Sequence, residues 1–207
     1  MKITLGVGIP TYNRYDLLEP ALRKYTADFR ETNIYVVDNG QQNIPKGAYE
    51  LVKNNNNIGV GATWNQLCSL IFSKFEYALI LNDDIYLGRV YQEVVELLSK
   101  KRPLFIRATP DWCVFALHKE AYEKVGCFDE CFYPAYYEDK SYEYRMKLKG
   151  IPTLKHPFLN PITYQSSKTL EKDPTIFEAA KKNKKLYVEM WGGEPGKERL
   201  KQPNKSQ

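Results

Sequence analysis

The stretch FEYALILNDDIYLG, residues 75–88, decides the fold of this chain. Its apolar run, residues 77–81, has the length of one buried strand and ends abruptly on Asn82, Asp83 and Asp84. Burying an unpaired carboxylate costs several kcal/mol, so two adjacent aspartates that close a core strand need a partner. At the carboxyl end of a strand in an α/β sheet, where ligands usually bind, a divalent cation and a phosphate suit that role. An Asp-rich turn after an ordinary strand is the alternative interpretation.

Length and composition are those of a globular protein. The chain has 207 residues, enough for one domain with a sizeable core or for one domain and a tail. Its 16 tyrosines are an unusual number, and tyrosine suits sugar or base stacking as well as core packing. Much of the net charge of +5 lies in lysine runs after Lys168, so we expect a basic tail and no nucleic-acid groove.

Cysteine spacing and hydropathy argue against a zinc cluster and a membrane segment. The four cysteines form no CxxC pair, and only two histidines, His118 and His156, are present. The N-terminus has too short an apolar run for a signal peptide, and no segment approaches the roughly 20 apolar residues of a membrane span. We therefore expect a cytoplasmic protein with free thiols.

Strands and helices alternate in the first hundred residues. Strands are expected at 3–9, 33–37 and 77–81, and helices at 17–25, 48–53, 62–72 and 89–101. Pro10 is expected to take the chain out of the first strand, and Asp16 to cap the helix that follows. The Asn- and Gly-rich residues 54–61 predict a loop. This order implies an α/β fold, with a mainly parallel sheet covered by helices on both faces.

The pattern changes after Pro103. Short strands are expected at 104–109 and 113–117, and helices at 119–125, 140–149 and 175–190. Residues 127–137 are aromatic-rich and irregular, and Glu138 and Asp139 then open the helix at 140–149. Acids are favoured in a first helical turn by the helix dipole, which is the alternative explanation for this pair. The end of the chain, residues 192–207, is expected to be ordered only if it packs back on the domain.

The second strand also ends on an acid, Asp38, which Asn39 and Gly40 follow. Two parallel strands joined by a helix carry their carboxyl ends to the same edge of a sheet. The polar ends of the first strands are therefore expected to form one site, together with Asp83 and Asp84.

Several of these stretches together resemble the GT-A glycosyltransferases, and most closely the inverting enzymes of family 2. The similar motifs follow one another in the family's order: GIPTYNR at 8–14, VVDNG at 36–40, NIG at 57–59 with Asn65, LNDD at 81–84, KEAYEKVGCFDE at 119–130 and YED at 137–139. No single motif is specific to this family, but the occurrence of all of them in the family's order is. The resemblance covers residues 2–150 and implies the GT-A fold. It divides the chain into a catalytic domain, residues 1–165, and a C-terminal helix with a basic tail, residues 166–207. Within the domain, residues 1–102 are implied to bind the nucleotide sugar and residues 103–165 the acceptor.

The resemblance also implies roles for individual residues. Asp139 is implied as the catalytic base, with Glu138 as second choice. Asp84 is implied as a ligand of Mn²⁺ or Mg²⁺, with Asn82 in the place of the first acid of the family's DxD element. The family's metal-binding histidine is missing from residues 162–167, so His156 is a further candidate ligand, with a surface histidine as the alternative. Nucleotide contacts are expected from Pro10, Thr11, Tyr12, Arg14, Asp38, Asn39, Asn57, Gly59, Asn65, Asn82 and Asp83.

Trp112 and Tyr137 are candidate contacts for the sugar or the acceptor, with core packing as the alternative for Trp112. The lengths of chain expected to select the acceptor are residues 111–112 and 131–137.

The implied activity is inverting, metal-dependent transfer of a hexose or deoxyhexose from a nucleotide-diphosphate sugar, UDP- first and dTDP- next. The implied acceptor is a hydroxyl of a glycan or glycoprotein. The tail motif WGGEPG at 191–196 resembles small glycosyltransferases of phages and large DNA viruses. One alternative is a sugar-phosphate nucleotidyltransferase, which would need a Gly-rich basic loop after the first strand. The other is a non-catalytic nucleotide- or carbohydrate-binding module, which would need no base opposite a metal site.

Overall fold

A computed structural model describes residues 3–28, 33–88, 90–108, 112–156, 163–164, 173 and 175–204. Strands and helices alternate along the chain, as the sequence predicts. In chain order they are β1 (Leu5–Thr11), α1 (Tyr15–Asp28), β2 (Asn33–Asp38), β3 (Glu50–Lys53), α2 (Val60–Phe72), β4 (Tyr77–Leu81), β5 (Ile85–Tyr86), α3 (Val90–Lys101), β6 (Phe105–Ala108), β7 (Val114–His118), α4 (Lys119–Val125), α5 (Glu138–Leu148), β8 (Leu154–His156), β9 (Thr163–Tyr164) and α6 (Thr175–Trp191).

A seven-stranded sheet of order β3-β2-β1-β4-β7-β6-β8 forms the centre of the fold. Strands β1 to β4 run parallel, β7 is antiparallel to both of its neighbours, and β6 and β8 are parallel to each other. The α/β class and the mainly parallel sheet predicted from the sequence are confirmed. Strands β5 and β9 form a separate antiparallel pair.

Alternate strand residues enter two apolar clusters, one on each face of the sheet. Val36 and Leu79 belong to the cluster that takes in side chains of α1 and α3. Val37 and Ile80 belong to the cluster that takes in side chains of α2, α4 and α5. Burial on both faces is what gives these strands continuous apolar runs rather than an alternating pattern.

The helix predicted at 48–53 is wrong, because residues 50–53 form strand β3. This strand pairs parallel with β2, and the register aligns Leu51 with Val36 and Val52 with Val37. Leu51 and Val52 are half-buried and pack against opposite apolar clusters, which is the alternation of a strand. A six-residue helix would have lacked the length to be stable without tertiary contacts.

Pro10 does not end the first strand, contrary to the prediction. Strand β1 continues to Thr11, with Pro10 aligned to Val37 of β2. The pairing of β1 with β4 ends earlier, at Gly8. Pro10 therefore has a neighbouring strand on one side only, and a proline is tolerated where no donor is required.

The prediction that Asp16 caps the first helix is also wrong. The carbonyl of Arg14 accepts from the amides of Leu17 and Leu18, each at 3.0 Å, so the helix starts two residues earlier, at Tyr15. Asp16 lies in the first turn and pairs with the Arg14 guanidinium at 2.9 Å.

The tail packs back on the domain. The amide of Leu200 donates to the carbonyl of Trp191 at 3.1 Å, and the hydroxyl of Tyr144 on α5 donates to the carbonyl of Leu200 at 2.9 Å. An ordered tail is expected from the sequence only with such packing, and the structure describes the tail as far as residue 204. Across the described residues, no helix combines the length and the apolar content that crossing a bilayer requires.

Candidate functional site

A cavity of about 570 Å³ opens at the carboxyl edge of the parallel strands. Its lining comes from the ends of β1 and β4, the loop after β2, and the first turn of α5. These chain segments meet because parallel strands bring their carboxyl ends to one edge. Most of the candidate residues line this one cavity: Pro10, Thr11, Tyr12, Asn39, Asn57, Asn82, Asp83, Asp84, Trp112, Tyr137, Glu138 and Asp139.

Asp83 and Asp84 form the first acidic pair of the cavity. Asp83 is buried, and one of its carboxylate oxygens accepts a hydrogen bond from the Thr11 hydroxyl at 2.7 Å. Burial raises the pKa of Asp83 to about 7 and that of Asp84 to about 6. The buried Oδ1 of Asp84 accepts no hydrogen bond from any described residue. Asp84 therefore places a carboxylate oxygen without a hydrogen-bond donor at the end of β4, and burial disfavours the charged form of both acids.

Arg14 lies close to this pair without lining the cavity. Its side chain is buried and forms two hydrogen bonds to Asp16, at 3.0 and 2.9 Å. The bond to Asp16, together with the charges of Asp16, Asp83 and Asp84, raises the pKa of the guanidinium. Its Nη1 is buried and donates to no described group. Arg14 therefore contributes a positive field near the acidic pair.

The carboxylate group of Asp84 suits a divalent cation, for which the described residues supply only some of the ligands. The carboxylate oxygen of Asp84 is of the type that Mn²⁺ and Mg²⁺ accept, and its lack of a hydrogen-bond donor leaves it available. Within the described residues, no three His, Cys, Asp or Glu side chains converge as a complete metal site. Phosphate oxygens and water would therefore complete the shell. His156 ends β8 in register with Ala108, and its role as a ligand stays a prediction.

Glu138 and Asp139 form the second acidic pair, in the first turn of α5. The preceding residue, Tyr137, is left-handed, with φ of 78°. Glu138 is buried, and its Oε2 accepts no hydrogen bond from the described chain. Burial raises the pKa of Glu138 well above its usual value, and the neighbouring charge of Asp139 adds to the effect.

Asp139 is less buried than Glu138 and has a cation beside it. Its Oδ1 accepts from the amide of Lys140 at 2.7 Å, and its Oδ2 lies 3.4 Å from the Lys140 ammonium. Burial raises the pKa of Asp139, while the charge of Lys140 acts in the opposite direction. Asp139 is thus a basic carboxylate with a neighbour that favours its ionised form.

Trp112 combines core packing with a place in the cavity wall. It is 5% exposed and lies 6.0 Å from Trp64 in a stacked arrangement, with Phe105 at 4.8 Å and Phe115 at 5.0 Å between ring centroids. Core packing thus accounts for most of its surface. Asp111, expected to help select the acceptor, lies outside the described residues.

Asp38, Asn65 and Gly59 are absent from the cavity lining and make structural contacts. Asp38 is fully buried and accepts from the amides of Gly40 and Gln42, at 2.8 and 2.7 Å. The side chain of Asn65 exchanges hydrogen bonds with the backbone of Phe128, at 3.0 and 2.7 Å. Gly59 precedes α2 with φ of 84°. Asp38 fixes the turn that carries Asn39, and Asn65 fixes the segment that leads towards α5.

Part of the lining was not singled out from the sequence. Pro134, Ala135 and Tyr136 come from the aromatic segment that the sequence marks as irregular and as a determinant of acceptor choice. Lys140 follows the predicted acidic pair directly. Ile176 and Pro195 come from α6 and the tail, and no local pattern could have indicated them, because only tertiary packing brings them to the cavity.

No protein-family model matches the chain, and no curated protein sequence matches it. Solved structures do match, with low sequence identity. A mannosyltransferase from Pyrobaculum calidifontis in complex with GDP-Man and Mn²⁺ is 17% identical with a TM-score of 0.61, over 76% of this chain and 55% of that one. GalNAc-T7 with UDP, GalNAc and Mn²⁺ is 14% identical with a TM-score of 0.60, over 91% of this chain and 48% of that one.

A third similar structure is glucosyl-3-phosphoglycerate synthase from Mycobacterium tuberculosis in complex with Mn²⁺, UDP and phosphoglyceric acid. It is 11% identical with a TM-score of 0.61, over 87% of this chain and 78% of that one. The chain thus spans about half the length of the first two structures and most of the third. Identities this low establish the fold alone. The chain has the GT-A fold of the nucleotide-sugar glycosyltransferases.

Proposed function

We propose that the chain is an inverting, metal-dependent glycosyltransferase, which moves a hexose or deoxyhexose from a nucleotide-diphosphate sugar to a hydroxyl of a glycan or glycoprotein. The observation that carries the proposal is the presence of two acidic pairs in one cavity. Asp83 and Asp84 follow a buried strand, whereas Glu138 and Asp139 open a helix. Glycosyl transfer needs both a site for a leaving diphosphate and a base for the acceptor.

Asp84, with Asp83 beside it, would hold Mn²⁺ or Mg²⁺. These carboxylates would thereby place positive charge where it stabilises a departing diphosphate. Thr11 fixes Asp83 through its 2.7 Å hydrogen bond and so orients the pair. Arg14 adds a second positive charge nearby, because its guanidinium interacts with both carboxylates.

Residues around the strand ends suit recognition of the nucleotide. Thr11, Tyr12, Asn39 and Asn57 present hydroxyl, phenol and amide groups in the lining, which can bind ribose hydroxyls and base edges. Asn39 is held by Asn54, whose Nδ2 donates to its Oδ1 at 2.7 Å, so its position is fixed before a ligand arrives. UDP is the first candidate nucleotide and dTDP the next.

Asp139 is proposed to take the proton from the acceptor hydroxyl, with Glu138 as the other candidate. A base is more effective when its pKa lies near the working pH, and burial moves the pKa of Asp139 upward. Direct attack by the deprotonating hydroxyl on the anomeric carbon, with the diphosphate leaving from the opposite face, inverts the anomeric configuration.

Product analysis tests the activity and its stereochemistry together. The protein is incubated with Mn²⁺, a methyl pyranoside as acceptor, and in turn UDP-glucose, UDP-galactose, UDP-N-acetylglucosamine, dTDP-rhamnose or GDP-mannose. We expect nucleoside diphosphate release from one donor and a glycoside whose anomeric proton signal shows inversion. Retention would contradict inversion, and no release from any donor would contradict the transferase. Pyrophosphate release from a nucleoside triphosphate and a sugar 1-phosphate would identify a nucleotidyltransferase instead.

A further inference from the structure

One wall of the cavity has an unusual backbone. Pro134, Ala135, Tyr136 and Tyr137 line it, just before the acidic pair of α5. Tyr136 and Tyr137 are both left-handed, with φ of 74° and 78°. Residues with a Cβ rarely adopt this conformation, and two in succession persist only where the surroundings hold them. The cause must therefore lie in contacts from outside the segment.

Two helices hold the four successive carbonyls of residues 133–136. The side-chain amide of Asn183, on α6, lies 2.8 Å from the carbonyl oxygen of Ala135, 3.2 Å from that of Tyr136 and 3.3 Å from that of Tyr133. The carbonyl of Pro134 accepts from the amide of Val60, at the start of α2, at 2.8 Å. The two N–H groups of Asn183 are thus shared among three carbonyls and Val60 holds the fourth, which ties the wall to both helices.

Asn183 is placed to act on this wall alone. It is 4% exposed and does not line the cavity, so it cannot touch a ligand there. The hydrogen bonds that its side chain makes to described residues all run from Nδ2 to the segment. An amide supplies two N–H donors, whereas a carboxylate of almost the same shape supplies none. The choice of Asn over Asp at this position therefore decides whether the wall is held.

The fixed wall carries an exposed aromatic residue at the cavity. Tyr136 is 39% exposed and lines the cavity next to Tyr137 and Asp139. An exposed ring gives a flat apolar face with a polar tip, which suits the C–H face of a pyranose ring. A surface that is rigid before binding loses less conformational entropy when the ligand arrives. These are the properties of a sugar-binding surface beside the proposed base.

We infer that Asn183 is a positioning residue, which holds segment 133–137 so that Tyr136 forms the stacking surface for a pyranoside acceptor. This inference rests on the proposed function and adds the acceptor class to it. It also makes α6 a part of the acceptor site, although the sequence assigns that helix to a separate C-terminal segment.

Saturation-transfer NMR and a nucleotide titration test the positioning role of Asn183. The probes are the methyl glycosides of glucose, galactose, mannose and N-acetylglucosamine, each added to the protein with UDP and Mn²⁺. We expect ring-proton saturation for at least one probe with the unchanged protein. Asn183→Asp and Tyr136→Ala should each weaken that binding by about tenfold, the loss that corresponds to about 1.4 kcal/mol. The matched control is Tyr133→Ala, in the same segment, because Tyr133 is 52% exposed and does not line the cavity.

The control and the nucleotide affinity separate positioning from general damage. Affinity for UDP with Mn²⁺ should stay within about twofold in all three variants, since the nucleotide contacts lie at the strand ends. Equal pyranoside affinity in Asn183→Asp and the unchanged protein overturns the inference, as does saturation of no probe, or an equal loss in Tyr133→Ala and Tyr136→Ala. Should Asn183→Asp fail to fold by circular dichroism, the two tyrosine variants decide.

A different result would contradict the proposed function. Absence of metal-dependent binding of UDP, dTDP and GDP by the unchanged protein contradicts the transferase, whatever the pyranosides do. Nucleotide binding that persists while Asn183→Asp leaves pyranoside affinity unchanged removes the positioning role only.

Discussion

Asp139 and Lys140 are consecutive residues whose side chains meet in the cavity, with Oδ2 and Nζ 3.4 Å apart. Burial raises the pKa of the carboxyl group, and the ammonium limits that rise. The ammonium thus favours the ionised form of a carboxyl group whose pKa burial raises, which is the setting that the proposed base requires. The sequence indicates the acid but not its pKa, because burial comes from the whole cavity.

The first prediction concerns a variant that removes the proposed base without changing the shape of its side chain. Asp139→Asn keeps the size of the side chain but cannot accept the acceptor proton. We expect transfer to fall by about 10²–10⁴-fold, the usual contribution of a general base, with metal-dependent nucleotide affinity unchanged. Single-turnover transfer and calorimetric titration measure the two quantities. Full transfer activity in this variant would contradict the role of Asp139, and Glu138→Gln would then identify the base.

Lys140 should set the pH dependence of that base. In Lys140→Met the charge that favours ionised Asp139 is lost, so the pKa of the carboxyl group rises further. The acid limb of the kcat/KM profile should therefore move to higher pH, and solvent screening of the partly exposed Lys140 limits the displacement.

Lys147→Met serves as the control, since it removes the same charge from the far end of α5. A profile of Lys140→Met that coincides with the unchanged protein would contradict the coupling. So would an equal displacement in Lys147→Met.

At the scale of elements, the start of α2 lies close to segment 133–137. Gly59 has φ of 84°, and a Cβ there would lie 3.0 Å from the Tyr133 ring and 3.1 Å from the Pro134 carbonyl oxygen. Gly196 has a similar φ of 85°, with no atom within 4 Å of the corresponding Cβ position. A comparison of alanine substitutions at the two glycines therefore separates the cost of positive φ from the cost of close packing.

We expect Gly59→Ala to lower the free energy of unfolding more than Gly196→Ala does. Both variants place a Cβ on a residue with positive φ, which costs about 1–3 kcal/mol, and only Gly59→Ala also displaces residues 133–134. Urea denaturation monitored by circular dichroism measures the difference. Equal losses in the two variants would show that close packing against residues 133–134 contributes nothing.

Elements with strong local patterns could be predicted from the sequence, and those defined by partners could not. The apolar run 77–81 forms β4, and 119–125 forms α4 as expected. Residues 50–53 form a strand only because β2 lies beside them, and β1 passes through Pro10 because one of its edges is unpaired there. Asn183 shows no local signal at all, since its role depends on a segment about fifty residues away.

At the scale of the whole molecule, the sheet edge and the C-terminal helix share one cavity. Strand ends supply polar groups and the first acidic pair, α5 supplies the second pair, and Ile176 and Pro195 close the lining from α6 and the tail. Trp191 of α6 donates through Nε1 to Ser141 of α5 at 2.9 Å, which ties the helix to the element that carries the proposed base. The C-terminal residues therefore belong structurally to the site.

Calorimetric titration of UDP, dTDP and GDP, each with and without Mn²⁺, tests the central claim most directly. Unchanged protein and Asp84→Ala are compared, because the carboxylate of Asp84 is the proposed metal ligand. We predict that one nucleotide binds tightly in the presence of Mn²⁺, and that Asp84→Ala removes the increase in affinity that Mn²⁺ produces. Binding of no nucleotide, or equal metal-dependent affinity in Asp84→Ala, would contradict the account.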